Sequence, residues 1–309
     1  MKIVFMGTPN AAVPSLERLI ADGHDVLAVY TQPDRPSGRG NKVVFSPVKQ
    51  AAIDKGIEVF QPLKIKTQEA IETFRSHSAD VAVVVAYGRI LPETYLKAFD
   101  LGAVNVHFSL LPKYRGAAPV NWAIVNGESE TGVTTMQMDA GLDTGPILMQ
   151  RETKIGREEN SVELMDKLAI QGADLLSETL SKYHTLKPIE QDHGAASFAP
   201  IMKREDGEID WRKPARAISD QIRGFQPFPT SFSFLDGVKL TFWRASETAI
   251  EANRTPGEIM EAHGGTLIIA CGSDTSLSVE EVQTAGKRRM SARDLLNGLR
   301  VKPGDILGQ

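Results

Sequence analysis

The sequence predicts a two-domain α/β protein, in which a mostly parallel sheet covered by helices is followed by a small β-barrel. The chain has 309 residues, more than a single hydrophobic core usually organises. In its first half, strongly apolar segments such as Val81–Ala86 alternate with helical patterns, which is typical of a parallel sheet covered on both faces. After about residue 206, short alternating segments are separated by turns containing Gly and Pro, as in small barrels.

The first domain begins with a strand over Lys2–Met6, and a turn at Gly7 leads into a helix. Apolar residues recur over Val13–Ile20 at the spacing of one helix face. The pattern repeats until the long helix Val162–Lys182, which we expect to close the domain. Further strands are predicted at Val26–Tyr30, Ile57–Phe60, Val81–Ala86, Ala103–Val106, Gly132–Met138 and Ile147–Gln150, and a helix at Gln68–His77.

The pattern weakens between about Leu186 and Asp206, where Pro, His, Gly and charged residues predict a linker. We therefore divide the chain into a first domain over residues 1–189, a linker over 190–206 and a second domain over 207–309. Strands of the second domain are predicted at Ser231–Phe234, Lys239–Trp243 and Thr266–Cys271.

Composition narrows the classes of protein to consider. The formal net charge of −4 argues against a protein that coats nucleic acid non-specifically. The single cysteine, Cys271, excludes an internal disulfide framework and a cysteine-rich metal site. No apolar run is long enough to span a bilayer, and the N-terminal one is too short for a signal peptide. We therefore expect a cytoplasmic protein without a membrane partner.

The first βα turn lacks the fingerprint of a dinucleotide site. Thr8, Pro9 and Asn10 stand where the pattern G-x-G-x-x-G requires small residues. The P-loop pattern G-x-x-x-x-G-K-[ST] is absent from the sequence as well. A nicotinamide, flavin or P-loop nucleotide site is therefore not predicted.

Asn105 and His107 lie two residues apart at the end of a predicted strand, so both side chains project to one face. Ligands of open α/β sheets bind at the carboxyl ends of the strands. An amide beside an imidazole can stabilise an oxyanion there. The alternative, at least as common, is a hydrogen-bonded histidine at a strand end and an asparagine that forms a turn.

Asp139 and Asp143 lie in a Gly-rich loop after the strand predicted over Gly132–Met138. Two carboxylates four residues apart could orient a histidine or a water molecule. They could equally be turn residues, because Asp and Gly are favoured in turns for local reasons. This loop alone leaves both interpretations open.

Taken together and in this order, the two segments resemble the folate-dependent formyltransferase family, whose pattern is N-x-H, S-L-L-P, a basic-aromatic loop and L-D-T-G. The resemblance covers nearly all of the chain. It implies a Rossmann-like catalytic domain, a linker and a C-terminal, tRNA-binding barrel similar to an OB-fold. Further matching motifs are M-G-T-P at 6–9, T-Q-P-D-R-P at 31–36, G-R-G at 38–40, S-P-V-K at 46–49, A-Y-G-R-I-L-P at 86–92 and K-R-R-M-S-A at 287–292.

The resemblance implies that Asn105, His107 and Asp143 are catalytic. The donor would be 10-formyltetrahydrofolate, and the acceptor would be the α-amine of initiator methionyl-tRNA. Asn105 and His107 would stabilise the oxyanion formed when the amine attacks the formyl carbon, and Asp143 would hold the imidazole and help to move the proton. This chemistry needs no metal and no covalent intermediate.

The resemblance also implies where the folate binds, in a flat and largely apolar slot. For Ile90 and Leu91, ordinary core packing is about as good an explanation as contact with the ligand. The implied folate-binding residues are Tyr87, Gly88, Ile90, Leu91, Ser109, Leu110, Leu111, Pro112, Met138 and Asp139.

Two basic segments are candidates for holding tRNA. The first is the loop Thr31–Lys49, which is longer than a usual βα connection. An exposed charged loop is usually only solvated, but the resemblance implies that this one contacts the acceptor end of the tRNA, with Arg39 as the first candidate. The second segment could bind phosphates. The candidate residues are Arg35, Arg39, Lys42 and Lys49 in the loop, and Lys287, Arg288 and Arg289 in the second domain.

The sequence departs from the family at Gly224–Ser231, where Asn, Trp and then Gly-Ala would be expected. Other functions also stay open. An enzyme that formylates glycinamide ribonucleotide or an amino-sugar nucleotide would share the three catalytic residues. A non-enzymatic module that binds tRNA or folate would have no reason to keep them together. Nothing in the sequence requires more than a monomer.

Overall fold

The computed structural model describes residues 1–37 and 42–308, with side chains described outside residues 35–43. The chain forms two compact units. The first contains Met1–Pro119, Glu130–Lys154 and Met165–Pro200. The second contains Val120–Ser129, Ile155–Leu164 and the chain from Ile201 onward. The linker boundaries at 190 and 206 stay a prediction.

The helices and strands are numbered in chain order. The helices are α1 (Val13–Ala21), α2 (Pro47–Asp54), α3 (Gln68–Ser76), α4 (Glu93–Leu96), α5 (Pro119–Val125), α6 (Ser161–Lys182), α7 (Ala215–Gly224) and α8 (Ala292–Gly298). The strands of the first unit are β1 (Lys2–Gly7), β2 (Asp25–Tyr30), β3 (Arg35–Ser37), β4 (Lys42–Val44), β5 (Val59–Phe60), β6 (Val81–Val85), β7 (Ala103–His107), β8 (Arg115–Gly116), β9 (Glu130–Gln137), β10 (Ile147–Lys154) and β11 (Phe198–Ala199). Those of the second unit are β12 (Ser231–Leu235), β13 (Val238–Thr248), β14 (Ile259–His263), β15 (Thr266–Ala270), β16 (Ser276–Thr284) and β17 (Met290–Ser291).

The first unit is built on a seven-stranded sheet with the order β10-β9-β7-β6-β1-β2-β5. The five strands from β5 to β7 are parallel, and β9 and β10 continue the sheet in antiparallel pairing. The chain runs outward from β1 to β5 on one side and then restarts with β6 on the other. Ligands bind at such switch points, at the carboxyl ends of the strands. The predicted parallel sheet is therefore confirmed, and its switch point lies between β1 and β6.

The first unit differs from the sequence prediction in several elements, among them β5 and α2. The strand predicted at Ile57–Phe60 is reduced to Val59–Phe60, because the N–H of Ile57 donates to the carbonyl of Ala52 at the end of α2. Helix α2 itself was not predicted. Its start is marked in the sequence by Ser46, whose hydroxyl accepts from the N–H of Lys49, and by Pro47 in the first turn.

The second unit contains an antiparallel sheet with the order β12-β13-β16-β15-β14, and β17 pairs with β16. Its core includes Trp211, Phe242, Ile259 and Leu277. Helices α7 and α8 were not predicted, although α7 packs the apolar side chains of Ile218 and Ile222 into this core. An antiparallel β domain after the parallel one confirms the predicted order of the two folds.

The segment that departs from the family motif is well packed within the second unit. The side chain of Asn121 donates to the carbonyl of Gly224, and Gln226 Nε2 donates to the carbonyl of Trp243. The rings of Trp122 and Phe225 meet edge to face with centroids 5.3 Å apart. Local hydrogen bonds and ring packing therefore hold this segment in the absence of the usual residues.

The longest helix, α6, has 22 residues, and charged residues recur along it. Across residues 1–37 and 42–308, no helix combines the length and the apolar character needed to cross a membrane.

Cys271 is expected to resist thiol reagents in the folded protein. Its side chain is buried in the core of the second unit, and burial raises the pKa of the thiol to about 12. The thiolate is the reactive form, so only about 1 in 10⁴ thiols is ionised at pH 8. We expect no modification by iodoacetamide at pH 8 over an hour, and complete modification in denaturant, measured by mass spectrometry. Equal rates in the two conditions would contradict the buried placement.

Candidate active site

Asn105 lies on β7 at the carboxyl edge of the sheet, opposite Val84 of β6. Its Nδ2 donates to the carbonyl of Val84 over 3.1 Å. Its Oδ1 is buried and has no hydrogen-bond partner among the residues that the structure describes. Because buried polar atoms are almost always paired, Asn105 offers a ligand both this oxygen and its second amide hydrogen.

His107 ends the same strand, and its side chain is buried. Nε2 lies 3.0 Å from the carbonyl oxygen of Tyr114. A carbonyl can only accept, so Nε2 carries the proton and Nδ1 of the neutral ring has a free lone pair. The backbone at Tyr114 thus sets the tautomer and turns Nδ1 toward Asp143.

Asp143 approaches His107 from the loop after β9. Its Oδ2 lies 3.7 Å from His107 Nδ1, which is longer than a hydrogen bond. The expected direct bond between the two side chains is therefore not formed. The backbone N–H of Gly116 donates to Oδ2 over 2.8 Å instead. Gly116 has φ +122°, and a Cβ there would lie 2.6 Å from the carbonyl oxygen of Ala199, so only glycine fits.

The structure therefore brings together the three predicted catalytic residues. Two atoms that can accept hydrogen bonds, His107 Nδ1 and Asp143 Oδ2, lie 3.7 Å apart. Asn105 lies two residues before His107 on one strand and presents its unpaired oxygen and its second N–H. A group with two N–H donors and a lone pair, such as a primary amine, matches a pair of acceptors of this kind.

The segment Tyr87–Leu91 follows β6 at the same edge of the sheet. Tyr87 and Leu91 pack in the core, whereas Ile90 is 78% exposed. The hydroxyl of Tyr87 is buried without a partner among the described residues, and burial raises the pKa of this phenol. Core packing thus accounts for Leu91 but not for Ile90. Gly88, which lies between β6 and these two residues, adopts φ +84°.

The S-L-L-P segment is fixed by Thr134 on β9. The Thr134 hydroxyl donates to the carbonyl of Ser109 over 2.6 Å and accepts from the N–H of Leu111 over 3.1 Å. The Ser109 hydroxyl donates to the carbonyl of Lys113, and Leu111 packs in a small core cluster. Leu110 and Pro112 are half-buried. Internal contacts account for Ser109 and Leu111, while Leu110 and Pro112 keep accessible surface.

Met138 and Asp139 begin the loop that carries Asp143. Met138 is half-buried against the core of the first unit. Asp139 is exposed, and its Oδ1 accepts from the N–H of Gly141 and the hydroxyl of Thr144. The turn interpretation therefore describes Asp139, whereas Asp143 reaches the site.

Comparison with known proteins decides the family. A profile described as formyl transferase matches residues 1–180, and one described as formyl transferase, C-terminal domain, matches residues 201–300. The methionyl-tRNA formyltransferase of Geobacter metallireducens is 47% identical over 310 residues, covering 100% of this chain and 99% of the relative. That of Caldanaerobacter subterraneus subsp. tengcongensis is 48% identical over 310 residues, covering 99% of this chain and 100% of the relative. The chain belongs to the methionyl-tRNA formyltransferase family.

Solved structures agree with the family in fold. The sugar 3N-formyl transferase WlaRD, in the presence of dTDP and 5-N-formyl-THF, superposes with a TM-score of 0.68 at 19% identity, over 93% of this chain and 99% of its own. An N-formyltransferase from Helicobacter canadensis, in complex with folinic acid and dTDP-3-aminofucose, superposes with a TM-score of 0.65 at 22% identity, over 92% of this chain and 99% of its own. At such identities the likeness shows the fold alone, and it confirms the predicted fold class.

For a member of the methionyl-tRNA formyltransferase family, the basic loop 31–49 is of special interest. Arg35 and Lys42 lie on the paired strands β3 and β4, and their side chains are outside the described part. Arg39 lies outside the described residues altogether. Lys49 is engaged within the protein: it pairs with Asp34, donates to Gln61 Oε1 over 2.7 Å and sits 4.0 Å from the centre of the Phe45 ring. Bonds from Lys49 and Gln61 hold the pKa of Asp34 below its usual value.

The second basic segment forms the turn between β16 and β17, where Lys287, Arg288 and Arg289 are exposed. We call these three residues the basic turn. The guanidinium of Arg289 lies 3.2 Å from the ring centre of Trp243. Lys287 and Arg288 therefore keep accessible charges, while Arg289 is oriented by an aromatic face.

Several residues that shape the site were not predicted, among them Thr134 and Gln191. Thr134 and Gln191 act through hydrogen bonds to backbone groups distant in sequence, which leave no local pattern. Gln191 lies within the predicted linker, yet the structure places it in the first unit, where it reaches the loop of Asp143. Gln191 is almost fully buried, but the composition of its segment is typical of a linker. Nothing in the sequence around it therefore predicts that it is buried.

Proposed function

We propose that the chain transfers the formyl group of 10-formyltetrahydrofolate to the free amine of initiator methionyl-tRNA, as a cytoplasmic monomer. The observation that carries the proposal is the pair of acceptors, His107 Nδ1 and Asp143 Oδ2, which face each other across 3.7 Å near Asn105. Family membership supports the same reaction and the same acceptor.

In this reaction a bond forms between the amine nitrogen and the formyl carbon, and the bond from that carbon to the folate nitrogen breaks. Negative charge develops on the formyl oxygen, and one proton passes from the amine to the folate nitrogen. The chain must therefore supply a donor for the oxygen and an acceptor for the proton.

Asn105 is suited to the first task. One of its amide hydrogens is fixed on the carbonyl of Val84, which leaves the second for the formyl oxygen. The bond to Val84 also sets the direction of the amide before any ligand arrives. Preorganised donors of this kind are each worth about 3–4 kcal/mol in transition-state stabilisation.

His107 and Asp143 are suited to the second task. Nδ1 of the neutral imidazole can take a proton from the attacking amine, and the resulting imidazolium would lie beside the Asp143 carboxylate, which favours its formation. The ring cannot turn away without losing its bond to the Tyr114 carbonyl.

For the folate, we propose a slot formed by the segments Tyr87–Leu91, Ser109–Pro112 and Met138–Asp139. The unpaired hydroxyl of Tyr87 and the exposed Ile90 support this placement. For the tRNA, we propose contacts from Arg35, Arg39 and Lys42 and from the basic turn, with Lys49 fixing the base of its loop.

The test is to incubate the purified chain with 10-formyltetrahydrofolate and initiator methionyl-tRNA, and to identify N-formylmethionine after hydrolysis of the product. The proposal requires one formylmethionine for each tetrahydrofolate formed. Tetrahydrofolate without formylmethionine would reject methionyl-tRNA as the acceptor.

Removing two charges of the basic turn should weaken the use of tRNA without changing the chemical step. For Lys287→Ala/Arg288→Ala we expect a higher KM for methionyl-tRNA at unchanged kcat. If two phosphate contacts are lost, the slope of log KM against log salt concentration should decrease by about 1.4–1.8. Arg300→Ala/Lys302→Ala, a pair of exposed cations in the same unit, is the matched control. An unchanged salt dependence in the first variant would remove this turn from the binding surface.

A further inference from the structure

Gln191 forms four hydrogen bonds in the interior of the first unit, with 5% of its surface exposed. Its Nε2 donates to the carbonyl of Asp143 over 2.9 Å and to that of Gly145 over 2.7 Å. Its Oε1 accepts from Arg115, at 3.1 Å from Nε and 2.6 Å from Nη2. Both hydrogens of the amide and both lone pairs of its oxygen are therefore used.

These partners fix the direction of the amide. A guanidinium only donates and a backbone carbonyl only accepts, so exchanging the amide oxygen and nitrogen would break all four bonds. Arg115 is itself buried, and its Nη2 also contacts Nδ1 of His193 at 3.1 Å. Gln191 therefore receives two hydrogen bonds from a charged donor.

The loop that Gln191 holds has an unfavourable backbone conformation at Asp143. Asp143 adopts φ +52°, in the left-handed region that costs energy for residues other than glycine. Two positions later, a Cβ on Gly145 would lie 1.8 Å from the carbonyl oxygen of Gln137, so the loop is tightly packed there. A conformation of this kind persists only when its surroundings hold it, and Gln191 binds the backbone on both sides of Thr144.

Strand β8 thus acts on Asp143 in two ways. The N–H of Gly116 binds the carboxylate, and the side chain of the preceding Arg115 orients Gln191, which binds the backbone. We propose that Gln191, oriented by Arg115, is a positioning residue for formyl transfer: it holds the loop 143–145 so that the Asp143 carboxylate faces His107. The inference rests on the proposed function, since it assumes that Asp143 takes part in the reaction.

The variant Gln191→Glu tests this proposal. It keeps the size of the side chain and an acceptor for Arg115, but a carboxylate cannot donate to the carbonyls of Asp143 and Gly145. We expect kcat to fall about 10- to 100-fold, since displacements near 1 Å at a reacting group cost up to about 10²-fold. The KM values for both substrates should stay within about threefold. Gln191→Met, which loses all four bonds, should give the same loss if the Glu variant does not fold.

Gln221→Glu is the matched control. Gln221 is also buried, and its Nε2 also donates to two carbonyls, those of Asp206 at 3.4 Å and Glu208 at 3.1 Å. Both carbonyls belong to the second unit, and neither lies in the loop 143–145. We expect this variant to lower thermal stability as much as Gln191→Glu does while keeping kcat within about twofold. Equal losses of kcat in the two variants would overturn the proposal.

A double-mutant cycle separates positioning from a general loss of structure. In an Asp143→Asn background, Gln191→Glu should lower kcat by less than about threefold, because Gln191 acts through the carboxylate already removed. An undiminished loss in that background would contradict the proposal. Each ratio of kcat between a variant and its parent protein is measured with whichever acceptor the wild-type protein formylates. A wild-type protein that ignores methionyl-tRNA therefore rejects the proposed substrate, and the ratios still decide the role of Gln191.

Discussion

Replacing His107 with alanine is expected to lower kcat for formyl transfer about 10²- to 10⁴-fold, the usual contribution of a positioned general base. The variant removes Nδ1, one of the two acceptors for the amine protons, and leaves Asp143 bound to the N–H of Gly116. Binding of tRNA should survive, because none of the proposed tRNA contacts involves this residue. The measurement is kcat and KM in steady state, with tRNA affinity from a separate binding titration.

His184→Ala serves as the control for this variant. His184 is exposed in the same unit and lies outside the site, so its loss should leave kcat within about twofold. The assigned role of His107 is wrong if His107→Ala turns over at a near-normal rate, or if its loss is entirely in tRNA affinity.

Replacing Asn105 with alanine is expected to lower kcat about 10²- to 10³-fold, which corresponds to the removal of one oxyanion donor. Asn105→Asp should be comparably inactive for a different reason. A carboxylate would face the carbonyl of Val84, where the amide now donates, so two acceptors would meet at about the same distance. Asn105→Asp should therefore also lower the midpoint of thermal unfolding, and by more than Asn105→Ala does.

These two variants distinguish a donor from a mere space-filling residue. We will compare kcat and the midpoint of thermal unfolding for Asn105→Ala, Asn105→Asp and Asn297→Ala, an exposed control in the second unit. If Asn105→Asp retained normal kcat, donation from the amide would not stabilise the reaction, and the proposed role of Asn105 would have to be abandoned.

Much of the parallel sheet could be predicted, because its central strands are apolar on both faces. Because side chains alternate along a strand, Asn105 and His107 could also be predicted to project to one face of the strand Ala103–His107. Short elements at the edges could not be predicted in this way. Strand β5 has only two residues, and its length depends on where the turn after α2 ends.

The polar contacts around the site were the least predictable part. Positive charge in the loop 31–49 suggested that Lys49 is available for phosphate, but Asp34 and Gln61 converge on it from other segments. Gln191 is 76 residues from Arg115 in sequence, and nothing near it indicates burial. Such contacts depend on tertiary structure, whereas motifs and periodicity describe only neighbours in the chain.

Competition between acceptors tests whether initiator methionyl-tRNA is the substrate. The purified chain is given 10-formyltetrahydrofolate with equal concentrations of initiator methionyl-tRNA, elongator methionyl-tRNA and glycinamide ribonucleotide, and the formylated products are quantified at early times. We expect fast transfer to the initiator tRNA and little to the other two. Transfer to glycinamide ribonucleotide alone would contradict it, since the chemistry would then be retained with a different substrate.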